Sequence, residues 1–134
     1  MCGDTGYPSF PLFRQIGDAL GPFDLSCIPI GAYEPEELNK DAHCDPYEAV
    51  KMHEDLHSKH SVGIHWGSFQ LGEEAMSAPP TELENAIRAD YEQKRANKNF
   101  SCSPVNFTVL GHGETLIKQS TNAAQVTASP SMSG

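Results

Sequence analysis

Residues able to bind a metal ion stand where an α/β fold builds its sites. Asp4 lies between two glycines in a predicted turn, and His65 lies at the end of a predicted strand over residues 62–66. A carboxylate and an imidazole at strand carboxyl ends suit Zn²⁺ or a related divalent ion. His43 precedes a predicted helix, on a loop that could lean over the same rim. Spacing alone favours a simpler interpretation, in which Asp4 forms a turn and His65 is a core histidine.

The other histidines carry weaker patterns. His53, His57 and His60 recur at a spacing that could ligate a metal from one helix face, although the predicted helix ends near His57. His112 follows the last predicted strand and suits a turn as well as a functional role. The sequence contains no G-x-S-x-G motif, no Walker loop and no Rossmann fingerprint.

Helix and strand patterns alternate along the chain. They predict a helix over 9–19, a strand over 23–30, an acidic loop over 33–44, a helix from 46 to about 58, a strand over 62–66, a helix beginning near 81 and a strand over 106–110. Asp45 with Glu48, and Thr81 with Glu84, predict capped helix starts. The helix faces predicted to be buried are Leu12, Phe13, Ile16 and Leu20; Ala49, Val50, His53 and Leu56; and Leu83, Ile87 and Tyr91. This order predicts an α/β fold with helical crossovers between strands.

Composition excludes several classes of function. The 134 residues suit one domain, and 18 acidic against 9 basic residues give a net charge of −9. The basic residues do not cluster, which argues against binding of nucleic acid or anionic lipid. The sequence shows no secretory signal pattern and no run of the roughly 20 apolar residues that a transmembrane helix needs. Four cysteines without a C-x-x-C pair predict free thiols in a reducing, cytoplasmic compartment. The uncharged residues 119–134 predict a disordered tail.

Several motifs in order resemble one family. They are Gly3-Asp4-Thr5-Gly6-Tyr7, Gly21-Pro22-Phe23-Asp24-Leu25, Ile28-Pro29-Ile30-Gly31-Ala32-Tyr33-Glu34-Pro35, His43 with Asp45-Pro46 and Glu48-Ala49-Val50, Ile64-His65-Trp66-Gly67-Ser68-Phe69, Pro79-Pro80, and His112-Gly113-Glu114. From residue 2 to about 118, with an insertion near 91–104, the chain resembles the N-acylphosphatidylethanolamine-hydrolysing phospholipase D family. These are zinc hydrolases of metallo-β-lactamase fold.

The resemblance implies a role for each matching residue. Asp4 matches a carboxylate that bridges two zinc ions, and His65 matches a terminal ligand of one of them. His43 matches a catalytic-site histidine near the scissile phosphate, and Tyr33 is assigned to substrate binding. The implied reaction is hydrolysis of a phospholipid, N-acylphosphatidylethanolamine, to an N-acylethanolamine and phosphatidic acid. Peripheral contact with intracellular membranes and a homodimer of the complete protein are compatible with this family.

Departures from the family define what this chain is expected to be. The family's H-x-H-x-D-H zinc motif is not in the sequence, and Glu36 stands where the family has an arginine. Only Met1 and Cys2 precede a turn that normally follows a strand. We therefore expect residues 1–118 to be the C-terminal half of a metallo-β-lactamase αββα sandwich, inactive alone. A different hydrolase of this fold and a non-catalytic fragment remain the alternatives.

Overall fold

A parallel three-stranded sheet organises the chain. The computed structural model describes residues 1–97 and 103–118. Its elements are α1 (Leu12–Leu20), β1 (Ser26–Pro29), α2 (Glu36–Asn39), α3 (Pro46–Asp55), β2 (Ser61–Ile64), α4 (Ala78–Ala96) and β3 (Phe107–Val109). The strands lie in the order β1-β2-β3, and both pairs are parallel. The predicted α/β class is confirmed, whereas the predicted tail over 119–134 and Cys102 lie outside the described residues.

The core lies between the sheet and α3. This helix packs against α1, α4 and β1. Ile28 and Ile30 from the β1 segment, Met52 from α3 and Leu83 from α4 are almost completely buried. Because burial of apolar surface is the main favourable term in folding, these contacts hold the strand ends in place.

The start of α3 matches the sequence prediction. Asp45 Oδ1 accepts a hydrogen bond of 2.8 Å from the Glu48 N–H, and Glu48 Oε2 accepts one of 3.3 Å from the Asp45 N–H. The predicted inward residues Ala49, Val50, His53 and Leu56 are all buried. The helix ends at Asp55, earlier than predicted, and His57 adopts a φ of 52° as the chain turns toward β2.

The predicted buried face of α1 is wrong in part. Leu12 and Leu20 are 36% and 72% exposed, whereas Phe13 and Gly17 are buried. The reason is the close approach of α1 to the end of α3, where a Cβ at Gly17 would overlap the carbonyl oxygen of Asp55. A glycine can make this contact and a larger residue cannot, so the contact surface centres on Gly17.

Two other helix predictions need correction. The predicted acidic loop contains α2, whose first turn carries Glu36 and Glu37, favoured there by the helix dipole. Thr81 caps nothing because α4 begins earlier, at Ala78, and its first turn accommodates the prolines. The strands are also shorter than predicted. In the described residues no helix has the length and apolar character to cross a bilayer.

Candidate metal centre

Asp4, His43 and His65 lie together at the carboxyl end of the sheet. Nε2 of His43 is 3.0 Å from Oδ1 of Asp4, and Nε2 of His65 is 3.8 Å from the same oxygen. The imidazole centroids are 5.3 Å apart. The two histidine side chains are 17% and 23% exposed, and that of Asp4 is 57% exposed. The group therefore opens to solvent on the side of the carboxylate.

The donor atoms of this group are of the kinds that bind a divalent metal ion such as zinc. One ligand atom from each residue lies within 4.8 Å of the others. With zinc–nitrogen and zinc–oxygen bonds of about 2.0–2.1 Å, two tetrahedral ligands lie about 3.3 Å apart. Oδ1 of Asp4 lies 3.0 Å from Nε2 of His43 and 3.8 Å from Nε2 of His65. Nδ1 of His43 and Nδ1 of His65 are buried and have no hydrogen-bond partner among the described residues. A zinc-bound histidine normally donates this second N–H to a supporting group, and the described residues supply none for Nδ1 of His65.

Asp4 is positioned by a segment that is bonded to β1 at Cys27. The Cys2 N–H donates a 2.9 Å hydrogen bond to the carbonyl oxygen of Cys27, which anchors the segment at the sheet. On the other side of Asp4, a Cβ at Gly6 would overlap the carbonyl oxygen of Lys40. Glycine thus allows the Asp4 segment to lie directly against the loop that carries His43.

His43 is positioned by the connection between α2 and α3. Its N–H donates a 2.7 Å hydrogen bond to the carbonyl oxygen of Asn39, and its neighbour Cys44 is fully buried. The Cys44 thiol donates to the carbonyl oxygen of Pro29 over 3.2 Å, which ties this loop to the end of β1. Burial raises the pKa of the Cys44 thiol to about 12, so the thiol stays neutral and acts as a structural group rather than a metal ligand.

His65 leaves the sheet in an unusual backbone conformation. It follows directly after β2 and has a φ of 61°, in the left-handed region that non-glycine residues rarely adopt. A Cβ at Gly31 would overlap the His65 carbonyl oxygen and lie 3.2 Å from Trp66 Cα. The strand that the sequence predicts over 62–66 ends at Ile64, so His65 lies one residue beyond it. Packing against Gly31 places the imidazole instead, and strained residues of this kind cluster at functional sites.

A carboxylate that the sequence analysis missed stabilises the rim of the group. Glu74 Oε1 accepts a 2.6 Å hydrogen bond from the Ala32 N–H, and Oε2 accepts one of 3.1 Å from the Glu34 N–H. Ala32 has a φ of 66°, which these bonds help to hold. The Glu73 N–H also donates to the Glu34 carbonyl oxygen over 2.9 Å. No local sequence signal points to this arrangement, because its partners lie some forty residues apart in the chain.

Tyr33 lies outside the Asp4 group. It lines a cavity of about 410 Å³ whose wall includes the carboxylates of Asp45, Glu74 and Glu82. The pKa of Tyr33 is raised to about 12. Burial is the largest cause, and the negative charges of neighbouring carboxylates, chiefly Glu74, add to it. These negative charges disfavour an anionic group in the cavity. The assignment of Tyr33 to substrate binding stays a prediction.

The remaining histidines have separate partners. In the described part of the chain, three of them face different side chains: His53 Nδ1 lies 2.7 Å from Ser61 Oγ, His57 Nε2 lies 2.7 Å from Asp18 Oδ1, and His60 Nε2 lies 2.9 Å from Thr108 Oγ1. The helix-face metal site is therefore not assembled from these rings. The His112 ring packs 5.5 Å from that of Trp66, next to His65 in the chain.

Parts of this chain are similar in sequence to known proteins. Residues 1–66 match a family described as a beta-lactamase superfamily domain. A Caenorhabditis elegans protein named N-acyl-phosphatidylethanolamine-hydrolyzing phospholipase D 1 is 50% identical over 70 residues, which are 52% of this chain and 19% of that protein. The corresponding mitochondrial protein of Saccharomyces cerevisiae is 39% identical over 83 residues, 61% of this chain and 18% of that protein.

A third relative carries no functional name. An uncharacterized protein of Mycobacterium tuberculosis is 40% identical over 92 residues, which are 66% of this chain and 24% of that protein. The chain thus spans about a fifth of the length of these curated relatives. The comparisons confirm the resemblance that the sequence motifs indicated.

Proposed function

We propose that this chain supplies part of a zinc-dependent phosphodiesterase site. The premise is its similarity, over about a fifth of their length, to proteins named N-acyl-phosphatidylethanolamine-hydrolyzing phospholipase D, together with the match of residues 1–66 to a beta-lactamase superfamily domain. The observation that carries the proposal is the convergence of Asp4, His43 and His65 at the carboxyl end of the sheet. All three match residues to which the resemblance assigns a role at the zinc site.

Each side chain has a distinct task in this proposal. Asp4 offers two carboxylate oxygens and is the most exposed of the three. Asp4 and His65, which directly follows β2, are the residues that would hold the metal. His43, with Nε2 3.0 Å from Asp4 Oδ1, is placed to donate its N–H to a phosphate oxygen next to the metal. When bound, zinc lowers the pKa of water and stabilises negative charge on a phosphoryl group.

The proposed reaction cleaves one phosphorus–oxygen bond of N-acylphosphatidylethanolamine. Water supplies the oxygen that joins phosphorus, and the ethanolamine oxygen leaves with a proton as an N-acylethanolamine. Phosphatidic acid retains the phosphate. Glu36 stands where the family has an arginine, so we expect a weaker attraction for phosphate than an arginine would give.

Zinc titration of the chain tests the ligand assignment. We expect isothermal titration calorimetry to show one zinc ion per chain, bound at least about 10-fold more weakly by Asp4→Asn and by His65→Ala. His57→Ala is the matched control because His57 pairs with Asp18 away from the group, and it should bind zinc like the unchanged chain. Equal zinc affinity in all four proteins would contradict the assignment.

A chimaera tests the reaction. Residues 1–66 of this chain, which match the beta-lactamase superfamily domain, replace the corresponding segment of the Caenorhabditis elegans relative. Mass spectrometry measures release of N-acylethanolamine from lipid micelles. We expect turnover by the chimaera and its loss in the chimaera carrying His65→Ala, with turnover kept in the one carrying His57→Ala. A folded, zinc-loaded chimaera that releases no N-acylethanolamine would refute the proposed reaction.

A further inference from the structure

The imidazole of His65 has two nitrogens in different surroundings. Nε2 faces the candidate metal centre, 3.8 Å from Oδ1 of Asp4. Nδ1 is buried and has no hydrogen-bond partner in the part of the chain that the structure describes. Because a buried polar atom without a partner is costly, native proteins usually supply one, either a protein group or an ordered water molecule. A partner for Nδ1 is therefore expected close to the end of β2.

A narrow cavity of about 10 Å³ lies at this place and has His65 in its wall. The wall also contains Gly31 and Ala32 from the segment after β1, and Gln70 and Glu74 from the segment after β2. A cavity needs about 10–15 Å³ to hold one water molecule, together with two to four polar groups that can bond to it. This cavity therefore has room for a single water molecule and for no larger ligand.

Glu74 is the hydrogen-bond acceptor that this wall offers. Its Oε1 accepts from the Ala32 N–H over 2.6 Å, and its Oε2 accepts from the Glu34 N–H over 3.1 Å. The two oxygens of a carboxylate have about four lone-pair positions, so Glu74 can accept a further hydrogen bond. Among the described residues of the wall, Glu74 has the only carboxylate. The buried nitrogen of His65 and a carboxylate thus line the same small cavity.

We propose that one bound water molecule links Nδ1 of His65 to the Glu74 carboxylate, which makes Glu74 a positioning residue for His65. The water accepts the hydrogen of Nδ1–H and donates one of its own to a Glu74 oxygen. In the neutral ring that donates from Nδ1, the free lone pair is on Nε2, the atom that faces Asp4. A metal-bound histidine held through its second N–H has a fixed tautomer and a fixed ring orientation.

The second histidine of the group provides a contrast. Nδ1 of His43 is also buried and lacks a partner among the described residues, but His43 is not in the wall of this cavity. Glu74 should therefore act on His65 and leave His43 unaffected. The water bridge rests on the cavity and on the buried nitrogen, whereas its consequence for zinc rests on the proposed function.

NMR spectroscopy of the full chain with ¹⁵N-labelled histidine tests the bridge in the absence of zinc. The chain is kept near neutral pH with a chelator, and the His65 ring signals are assigned by their loss in His65→Ala. We expect a hydrogen on Nδ1 that shows cross-relaxation with a bound water molecule, measured in the rotating frame so that its sign distinguishes it from chemical exchange. A neutral His65 ring protonated at Nε2 instead, or an Nδ1 hydrogen without cross-relaxation to water, would overturn the proposal.

Glu74→Gln and Glu73→Gln form a matched pair of variants. Both remove one negative charge from the same segment, but Glu73 is exposed and lies outside the cavity wall. We expect Glu74→Gln to abolish the cross-relaxation between His65 and water while the His43 ring signals stay unchanged, and Glu73→Gln to alter neither. The Ala32 amide signal reports on the loop itself. If that signal moves in Glu74→Gln while His65 keeps its bound water, Glu74 only braces the loop and the proposal is wrong.

Zinc calorimetry separates this proposal from the proposed function. We expect Glu74→Gln to bind zinc about 10-fold more weakly than the unchanged chain, and Glu73→Gln to bind it equally well. Equal zinc affinity in all three proteins would show that Glu74 does not position the ligand, and would overturn the proposal. If the unchanged chain binds no zinc while the His65 ring signals still depend on Glu74, the water bridge stands and the metal-site proposal fails.

Discussion

The buried imidazole of His53 should make the stability of this fold depend on pH. His53 is 5% exposed, its Nδ1 lies 2.7 Å from Ser61 Oγ, and its ring stacks on Phe107 with centroids 5.8 Å apart. Burial first, then the positive charge of Lys94 and a contribution from His60, lower the pKa of His53 from 6.5 to about 4, while Asp90 acts in the opposite direction.

The sign of the effect follows from proton uptake. Between pH 6.5 and pH 4 the unfolded chain binds a proton at His53 and the folded chain does not, so stability falls as the pH falls. The pKa of His53 is 6.5 in the unfolded chain and about 4 in the folded chain. At about 1.4 kcal/mol for each pKa unit, this difference corresponds to a loss of about 3 kcal/mol in the free energy of unfolding. This is a large part of the 5–15 kcal/mol that stabilises a typical domain.

Urea unfolding at pH 7, 6, 5 and 4 measures this loss against His53→Gln, which can keep a hydrogen bond to Ser61 but cannot become charged. The unchanged chain should lose about 3 kcal/mol more than the variant between pH 7 and pH 4. The comparison removes the contribution of carboxylates that titrate in both proteins. Parallel stability curves for the two proteins, or an NMR titration of His53 with a midpoint near 6.5, would refute the reasoning.

Two pairs of substitutions test the cap of α3 and the packing around His65. Asp45→Ala removes the acceptor for the Glu48 N–H and should cost about 1 kcal/mol in urea unfolding, whereas Asp45→Asn keeps an acceptor and should cost less than half of that. Gly31→Ala places a Cβ against the His65 carbonyl oxygen and should weaken zinc binding at least about 10-fold in calorimetry. Gly111→Ala is the control and should leave zinc binding unchanged, because a Cβ there would lie 3.5 Å from its nearest neighbour. Equal costs for the two Asp45 variants, or equal zinc affinities for the two glycine variants, would contradict these assignments.

Local signals in the sequence were sufficient for some elements. The start of α3 could be predicted because the Asp45–Glu48 capping box is made by residues three positions apart. The buried face of α1 could not, because it depends on the distant contact between Gly17 and the Asp55 backbone. Apolar periodicity alone assigned Leu20 to the core, yet it is 72% exposed.

The candidate site shows the same division between local and distant information. Asp4 and His65 could be predicted as site residues because α/β folds build their sites at strand ends. His43 could be predicted because the loop before α3 can reach the same edge of the sheet. Their meeting depends on parallel strands whose carboxyl ends share one edge of the sheet, and the alternating pattern of elements predicts strands joined by helical crossovers. The order of the strands was not predicted. The positive φ of His65 and the bonds to Glu74 arise from packing between loops, for which the local sequence carries no signal.

The Glu74 carboxylate, in the segment that follows β2, accepts hydrogen bonds from the Ala32 and Glu34 N–H groups in the segment that follows β1. These two segments therefore form a single cooperative unit. Opening either loop exposes the Ala32 and Glu34 amides together, so both should exchange hydrogen for deuterium in one event with a shared free energy. A substitution in one loop then alters how often the other opens.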